Sequence, residues 1–356
     1  MTPTRQALIW IGGLVVLGLA LHVLAPILLP FVVGFAVAYF LDPAVQWLDR
    51  HGVGRTLATV LVLVVFSATV ILVLALVLPL VQGQIISFAQ KAPELFRVLQ
   101  ERVMDAIARV SAQLSAADVE RLKSAAGGVA GDVLKFAGAL VARAWSGGLA
   151  FLNLLSLIFI SPVVAFYILR DWDKIVAKVR GWLPRDHQKT IERLVGEADA
   201  MIAGFVRGMA LVCLILAAFY GTALTLIGLE FGLVVGLVAG LISFIPFVGA
   251  AVGFVVSVGL AVVQFADWVP IALTAGVFIA GQAIEGNFLT PKLVGERIQL
   301  HAVWVIFALL AGGLLFGFVG VLLAVPLAAV IGVLVRFFIG RYLDSSLYRG
   351  DGGRAS

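Results

Sequence analysis

The residues most able to do chemistry form one cluster near the C-terminal end, in the stretch FIAGQAIEGNFLTPKLVGERIQLHAVWVIF (278–307). Glu285 follows Gln282 by three residues, a spacing that places both side chains on one helix face. Placing an ionisable group between two apolar, membrane-like runs costs free energy, so Glu285 is a functional candidate. The carboxylate could bind a cation or proton, and neutral polar groups beside it suit a polyol or hydrated ligand. The candidate substrate or ion site is Gln282, Glu285, Asn287, Thr290 and Pro291.

A second interpretation of this cluster is structural. Glu285 could pair with Lys292 or Arg297 in an interfacial loop and serve as an anchor only. In the first interpretation the more distant charged residues form a rim around the site. His301 could relay protons there, or it could cap the helix that follows. The predicted rim is Lys292, Glu296, Arg297 and His301.

The composition indicates that water is not the main solvent of this chain. Hydrophobic residues occupy 62% and charged residues 13% of the 356 positions, about half the charged share of a soluble domain. The basic residues flank apolar segments, so the net charge of +5 indicates a lipid bilayer as partner and no nucleic acid. Cys213 is the single cysteine, and we expect no metal and no cofactor. Nucleotide-binding and hydrolase motifs are absent, so we do not expect an enzyme.

The apolar runs predict an all-α polytopic membrane protein with about six full spanning helices and two interrupted or re-entrant helical pairs. A spanning helix needs roughly 20 apolar residues. The first two runs follow each other so closely that they predict a tight hairpin at Pro26 and Pro30. The six runs are Ala7–Leu24, Leu24–Leu41, Leu57–Leu80, Leu149–Leu169, Met209–Leu229 and Trp268–Ala283.

Two further apolar stretches, Phe231–Val263 and Val303–Phe337, contain proline and glycine breaks. Loosened backbone at membrane depth is tolerated only inside protein or against a water-filled cavity. Two such interrupted pairs point to the substrate site of a transporter, although glycines also let four short helices pack closely. The predicted hairpin or gate residues are Pro246, Gly249, Gly313, Gly317, Gly320 and Pro326.

Basic residues beside the apolar runs set the expected orientation. Arg170, Lys174, Lys178 and Arg180 follow the run that ends at Leu169, so that end should be cytoplasmic. Counting from there places both chain termini in the cytoplasm. The expected regions are N-terminal transmembrane helices (1–81), an extracytoplasmic amphipathic helical insert (82–146), a transmembrane helix (147–169), a cytoplasmic amphipathic segment (170–207), a transport core with interrupted helices (208–340) and a cytoplasmic polar tail (341–356).

A series of motifs in the second half resembles the AI-2E family of bacterial membrane transporters. The likeness is specific over Tyr167–Arg336 and looser over the first 145 residues, and the motifs are strong together rather than singly. They are YILRDWDKI (167–175), WLP (182–184), GFVRG (204–208), LISFIPFVGAAVG (241–253), QAIEGNFLTPKLVGERIQLH (282–301) and ALLAGGLLFGFVGVLLAVPLAAV (308–330).

The resemblance implies a secondary transporter of the bacterial inner membrane that exports a small polar molecule such as the quorum-sensing signal autoinducer-2. It implies alternating access by an elevator-like motion, in which one part of each subunit moves against a fixed part. It also implies a homo-oligomer, with a pentamer expected. Cation/proton antiport occurs in some members and is the first alternative, and an oligomeric channel is the second.

The orientation can be tested by chemical labelling. Single cysteines at Ala112 and Ala126, in a Cys213→Ala background, should react with an impermeant thiol reagent added outside. A cysteine at Ala177 should not react, because the arginines and lysines around it favour the cytoplasmic side. Reversed labelling would overturn the orientation and both loop assignments.

Overall fold

A computed structural model of the protein describes residues 3–110, 148–246, 248–294 and 301–349. The regular structure of these residues is helical, so the predicted all-α membrane fold is confirmed. Most of the predicted insert (82–146), from residue 111 to its end, lies outside the described residues. The α-helices are α1 (Pro3–Arg50), α2 (Arg55–Val110), α3 (Gly148–Trp182), α4 (Gln188–Leu226), α5 (Gly232–Ile242), α6 (Val248–Gln264), α7 (Trp268–Ile284), α8 (Ala302–Leu343) and α9 (Ser346–Arg349), with a 3₁₀ turn at Arg185–His187 and a π-helix at Glu285–Val294.

Five helical segments among the described residues are long and apolar enough to cross a membrane. Two shorter apolar helices, α5 and α6, accompany them. Several helices run past the apolar part into the polar segments, so the inserts expected at 82–146 and 170–207 begin as continuations of α2 and α3. The five segments are Ile27–Arg50, Arg55–Phe88, Arg185–Leu226, Trp268–Val294 and Val303–Leu343.

The hairpin expected at Pro26 and Pro30 is wrong, because α1 is a single helix of 48 residues that runs through both prolines. A proline inside a helix removes one hydrogen bond and can bend the axis, but the helical pattern resumes after it. The expected cytoplasmic N-terminus depends on two membrane crossings before Arg50. A single helix α1 does not provide two crossings, so this expectation has no remaining support. The cytoplasmic side expected for Arg170, Lys174, Lys178 and Arg180, from which the count starts, is unaffected.

The first interrupted stretch is broken where the sequence predicts. Helix α5 ends at Ile242 and α6 begins at Val248, and the two helices pack against each other. A Cβ atom at Gly249 would overlap the amide nitrogen of Ser243 and the carbonyl oxygen of Ala239. Glycine therefore lets α6 start in direct contact with the end of α5.

The second interrupted stretch turns at Gly317, inside α8. Gly317 has φ 58° and ψ −139°, which is outside the helical region. Gly312 and Gly320 would be about 12 Å apart along a continuous helix, yet a Cβ on either one would overlap the carbonyl oxygen of the other. The chain therefore reverses at Gly317 into two packed arms, and Pro326 lies buried in the second arm.

The chain folds into two compact units, each assembled from separate stretches of the chain. The first unit comprises Met1–Val64, Ser156–Met209 and Pro291–Ser356. The second comprises Val65–Leu155 and Ala210–Thr290.

Within the second unit, α4 and α5 form an antiparallel pair held by a glycine stripe. Gly232, Gly236 and Gly240 are spaced by four residues, and a Cβ at each would overlap the backbone of α4. Small residues at this spacing are a common device for close helix packing in membranes. The turn before α5 has Gly228 at φ 84°, and Leu229 N–H donates to the Leu224 carbonyl at 3.1 Å. This is a Schellman C-cap, which ends α4 and directs the chain back along it.

Within the first unit, close backbone contacts again use small residues. A Cβ at Gly34 of α1 would overlap Val164 and the Ser161 carbonyl oxygen of α3. The Ser161 hydroxyl donates to the Pro30 carbonyl at 3.0 Å across the same crossing. A Cβ at Gly208 would overlap the Leu293 carbonyl oxygen, so the end of the π-helix lies directly on α4.

Two glycines of α6 give a matched test of the α5–α6 hairpin. Gly249→Val should lower the melting temperature of the purified protein, because the side chain would overlap Ser243 and Ala239. Overpacking of this kind typically costs about 1–3 kcal/mol. Gly259→Val is the control, because a Cβ there has no neighbour within 4 Å. Equal melting temperatures for the two variants would contradict the packed hairpin.

Candidate functional site

The polar cluster lies where α7 widens into the π-helix at Glu285. Pro291 lies inside this π-helix, and its ring blocks a normal α-helical bond to the carbonyl four residues earlier. Ten residues of π-helix are unusual, because π-helices mostly occur as single-turn bulges and often at functional sites. The wider turn changes the direction of side chains that a regular helix would have placed by the 3.6-residue period.

Glu285 and Gln282 form the centre of the candidate site. Gln282 Nε2 donates to Glu285 Oε2 at 2.8 Å, so the two side chains do share one face. The Glu285 side chain is half-buried. Among the described residues its polar partner is this neutral amide, while Glu296 and Arg297 lie outside the described residues. A carboxylate held by an amide keeps oxygen lone pairs for a proton, a cation or a hydroxyl donor.

Asn287, Thr290, Pro291 and Lys292 are exposed along the π-helix. The Asn287 side-chain nitrogen donates to the Ala283 carbonyl at 2.9 Å, so this amide helps to satisfy the widened backbone. Its side-chain oxygen is still able to accept a hydrogen bond. The polar residues predicted from sequence therefore lie on one short segment, with Glu285 and Gln282 joined directly.

Behind Glu285, the second unit provides an aromatic wall. Tyr220 is fully buried and its ring stacks on that of Phe278, with centroids 4.7 Å apart. A Cβ at Gly281 would overlap the Tyr220 hydroxyl, so the ring lies directly against α7. Glu285 is close enough to act electrostatically on Tyr220 and on Cys213. The carboxylate thus has an apolar aromatic surface on one side.

The Tyr220 hydroxyl is the one polar atom of this wall. It is buried and makes no hydrogen bond of normal geometry with a described residue, although Gln282 is near enough to interact with it. A buried hydroxyl without a partner costs free energy. Sequence reasoning missed Tyr220, because a tyrosine inside an apolar run has no distinguishing signal.

The predicted gate and rim residues belong to different parts of the chain. Pro246 is half-buried and Gly249 is buried in the α5–α6 hairpin of the second unit. The glycines and proline predicted in the second stretch belong to the α8 hairpin of the first unit. His301 Nδ1 accepts from Val303 N–H at 3.4 Å, so His301 occupies the capping position that was one of its two expected roles.

Comparison with known proteins gives the family. The AI-2E family transporter profile matches residues 11–340. The chain belongs to the AI-2E transporter family. It is 26% identical to YrrI of Bacillus subtilis, named as a transport protein, over 89% of this chain and 88% of YrrI. It is 27% identical to PerM of Escherichia coli, named as a permease, over 87% of each chain. It is 29% identical to the transport protein MT0215 of Mycobacterium tuberculosis, over 94% of this chain and 89% of MT0215.

This AI-2E family chain has a second polar cluster, in the first unit, that sequence reasoning missed. The Tyr39 hydroxyl donates to Asp199 at 2.7 Å, and Arg207 Nε donates to the Tyr39 carbonyl at 2.7 Å. Asp42 lies between Arg207 and Arg55, at 3.6 and 3.9 Å. The only available signal was an acidic residue, Asp42, directly after an apolar run.

The second cluster differs from the first in its charge balance. Its carboxylates have arginine or tyrosine partners, and the cavity beside them is about 50 Å³, room for about one or two water molecules. Paired charges of this kind mainly fix how helices pack. The AI-2E family chain therefore has a compensated cluster in one unit and, at Glu285, a carboxylate with a neutral partner in the other.

Tyr39→Phe and Tyr220→Phe in this AI-2E family chain test whether the hydroxyl of the second cluster is paired and the hydroxyl behind Glu285 is not. Tyr39→Phe should lower the stability of the purified protein by about 1–3 kcal/mol, because Asp199 loses its donor. Tyr220→Phe should leave the melting temperature equal or higher, because the hydroxyl it removes has no partner among the described residues. Thermal unfolding in detergent measures both. A loss for Tyr220→Phe as large as that for Tyr39→Phe would show that its hydroxyl is paired.

Proposed function

We propose that this protein is a secondary transporter that exports a small polar molecule similar to autoinducer-2 across the bacterial inner membrane. The observation that carries the proposal is the Glu285–Gln282 pair at the start of the π-helix. It combines a half-buried carboxylate, a neutral amide and a widened backbone in a segment otherwise apolar enough to span a membrane. The transporter family of the chain supports the general activity.

The chemistry of the site suits a ligand with several hydroxyl groups. The Glu285 carboxylate accepts hydrogen bonds, Gln282 both donates and accepts, and the side-chain oxygen of Asn287 accepts. The Tyr220–Phe278 stack is buried, so it forms the apolar packing behind the carboxylate and is not a surface that the ligand contacts. Binding sites for small molecules commonly combine a mainly apolar wall with a few polar groups that fix orientation.

For the transport step we propose alternating access with an elevator-like motion. Such a mechanism needs two parts that each keep their own packing, and the division of the chain into two compact units supports it. The units are joined at four places in the chain, and one join, between Thr290 and Pro291, falls inside the π-helix. Backbone that departs from regular helix is a suitable place for a hinge.

We further propose a homo-oligomeric assembly, a pentamer, with the C-terminus in the cytoplasm. The bacterial relatives and the basic residues beside the spans support this placement. A role in quorum sensing follows if the exported molecule is autoinducer-2.

Cation/proton antiport is the second candidate function. The observation that favours it is that Glu285 has a neutral partner and no cationic one among the described residues. A carboxylate in this state can exchange a proton for a cation. Counterflow of autoinducer-2 in proteoliposomes would support export of the signal, and sodium- or potassium-driven proton movement would support antiport. Unitary currents across a planar bilayer would instead indicate a channel.

The substitution Glu285→Gln separates these functions, because it keeps shape and hydrogen bonding but removes the charge. If the carboxylate carries a proton, pH dependence of transport should disappear while solute exchange continues. If it orients a neutral ligand, apparent affinity should fall roughly tenfold, the value of one hydrogen bond to a charged group. Uptake, pH profile and oligomer yield are measured on the same reconstituted preparation.

Glu101→Gln is the matched control, because Glu101 is an exposed carboxylate paired with Arg97 on α2. It should transport like the wild type. A poor yield of folded oligomer for Glu285→Gln, restored by a compensating change at Lys292 or Arg297, would assign Glu285 the anchoring role. Wild-type uptake, pH profile and yield for Glu285→Gln would overturn the site.

A further inference from the structure

A pocket of about 570 Å³, lined by three basic residues, opens in the first unit, and it is independent of the proposed transport function. It lies where α2 begins and where the apolar part of α3 ends. Arg55, Arg170 and Lys174 line it together with one carboxylate, Asp173, and Asp42 and Asp171 lie beside these cations. Gly54, Thr56 and Leu57, at the start of α2, form the rest of the wall.

Both the backbone and the side chains of this pocket favour an anion. The N–H groups in the first turn of a helix have no partner within the helix, and the helix dipole adds partial positive charge there. Arg55 is held in place, since its Nε donates to the Leu169 carbonyl at 2.9 Å and it also pairs with Asp173. The pocket therefore presents backbone donors beside a fixed guanidinium group.

The two other cations share one carboxylate. Lys174 Nζ lies 3.0 Å from Asp171, and Arg170 donates to the same side chain. The hydrogen bond from Arg170, and then that from Lys174, lowers the pKa of Asp171 to about 2. Asp171 is therefore ionised at neutral pH, and it cancels one of the two positive charges. Lys174 is 80% exposed, so its ammonium group can reach a ligand in the pocket.

An apolar stripe continues from the pocket along α2. Leu57 lines the pocket and is 57% exposed, and Leu61 and Val64 on the next turns are exposed as well. These residues begin the apolar run that is long enough to span a membrane. A ligand that fits the whole surface has an anionic head and a hydrocarbon chain.

We propose that this pocket binds the phosphate group of an anionic phospholipid, with Lys174, Arg170 and the first turn of α2 as donors and the acyl chains along the Leu57 stripe. Basic residues directly after a membrane span favour the cytoplasmic leaflet, where anionic lipids attract them. Basic pockets between transmembrane helices on that side are suited to such headgroups.

Native mass spectrometry of the full-length protein in neutral detergent tests the proposal, with phosphatidylglycerol and phosphatidylcholine as probes. The wild type should retain phosphatidylglycerol in preference to phosphatidylcholine. Lys174→Ala should weaken phosphatidylglycerol binding by about fivefold, the contribution of one basic residue near an anionic surface. Asp171→Asn should strengthen it, because one negative charge is removed and Lys174 is released.

Lys178→Ala is the matched control, one turn further along α3. Lys178 lies outside the pocket, with its ammonium group 5.7 Å from the centre of the Trp182 ring. It should bind phosphatidylglycerol like the wild type. If Lys178→Ala weakens binding as much as Lys174→Ala, the attraction is a diffuse surface charge and the pocket assignment is overturned.

A competition experiment distinguishes a lipid ligand from a soluble phosphate ester. Glycerol 3-phosphate has the same anionic group without the acyl chains. It should fail to displace phosphatidylglycerol at equal concentration, because it leaves the apolar stripe uncovered. Displacement at equal concentration would assign the pocket to a free phosphate ester and overturn the lipid proposal.

Discussion

Every backbone N–H and C=O group inside a bilayer must be satisfied by the protein itself, and this constraint governs the rest of the structure. Long helices meet it directly. Among the described residues, the departures at residues 243–246, at Gly317 and along Glu285–Val294 need protein packed against them. At the first two, Gly249, Gly312 and Gly320 bring one backbone onto another. At the third, the Asn287 side chain bonds the widened backbone.

The same constraint explains which parts of the fold could be predicted from sequence. Proline and glycine inside an apolar run signal a break, so the interruptions at Pro246 and Gly317 were predicted. The false hairpin at Pro26 and Pro30 shows the limit of that signal. Proline alone bends a helix, whereas reversal needs a residue outside the helical region, and Gly317 with its positive φ is such a residue. The glycines of α5 could be identified from the sequence as a packing motif, but the helix that they contact could not be predicted.

The candidate site was predicted in part for a similar reason. A charged residue in an apolar context is conspicuous, and Glu285 with Gln282 three residues earlier was found in this way. Tyr220 and Cys213 are close to Glu285 through tertiary packing of α4 against α7, which no local spacing records. The π-helix could not be predicted from the sequence either. Pro291 blocks a backbone hydrogen bond, and a blocked bond is equally compatible with a simple kink.

Charge compensation separates the roles of the polar groups in this chain. Asp42, with arginines on either side, fixes the packing of three helices, and removing one arginine would leave this half-buried carboxylate with a single cation beside it. Glu285 has a neutral amide as its partner, so its negative charge is not cancelled by a described residue. Such a charge is costly in an apolar segment unless a ligand, an ion or a proton compensates it during part of the working cycle. A site that must bind and release needs this incomplete balance, because a fully paired carboxylate would have nothing to gain from a ligand.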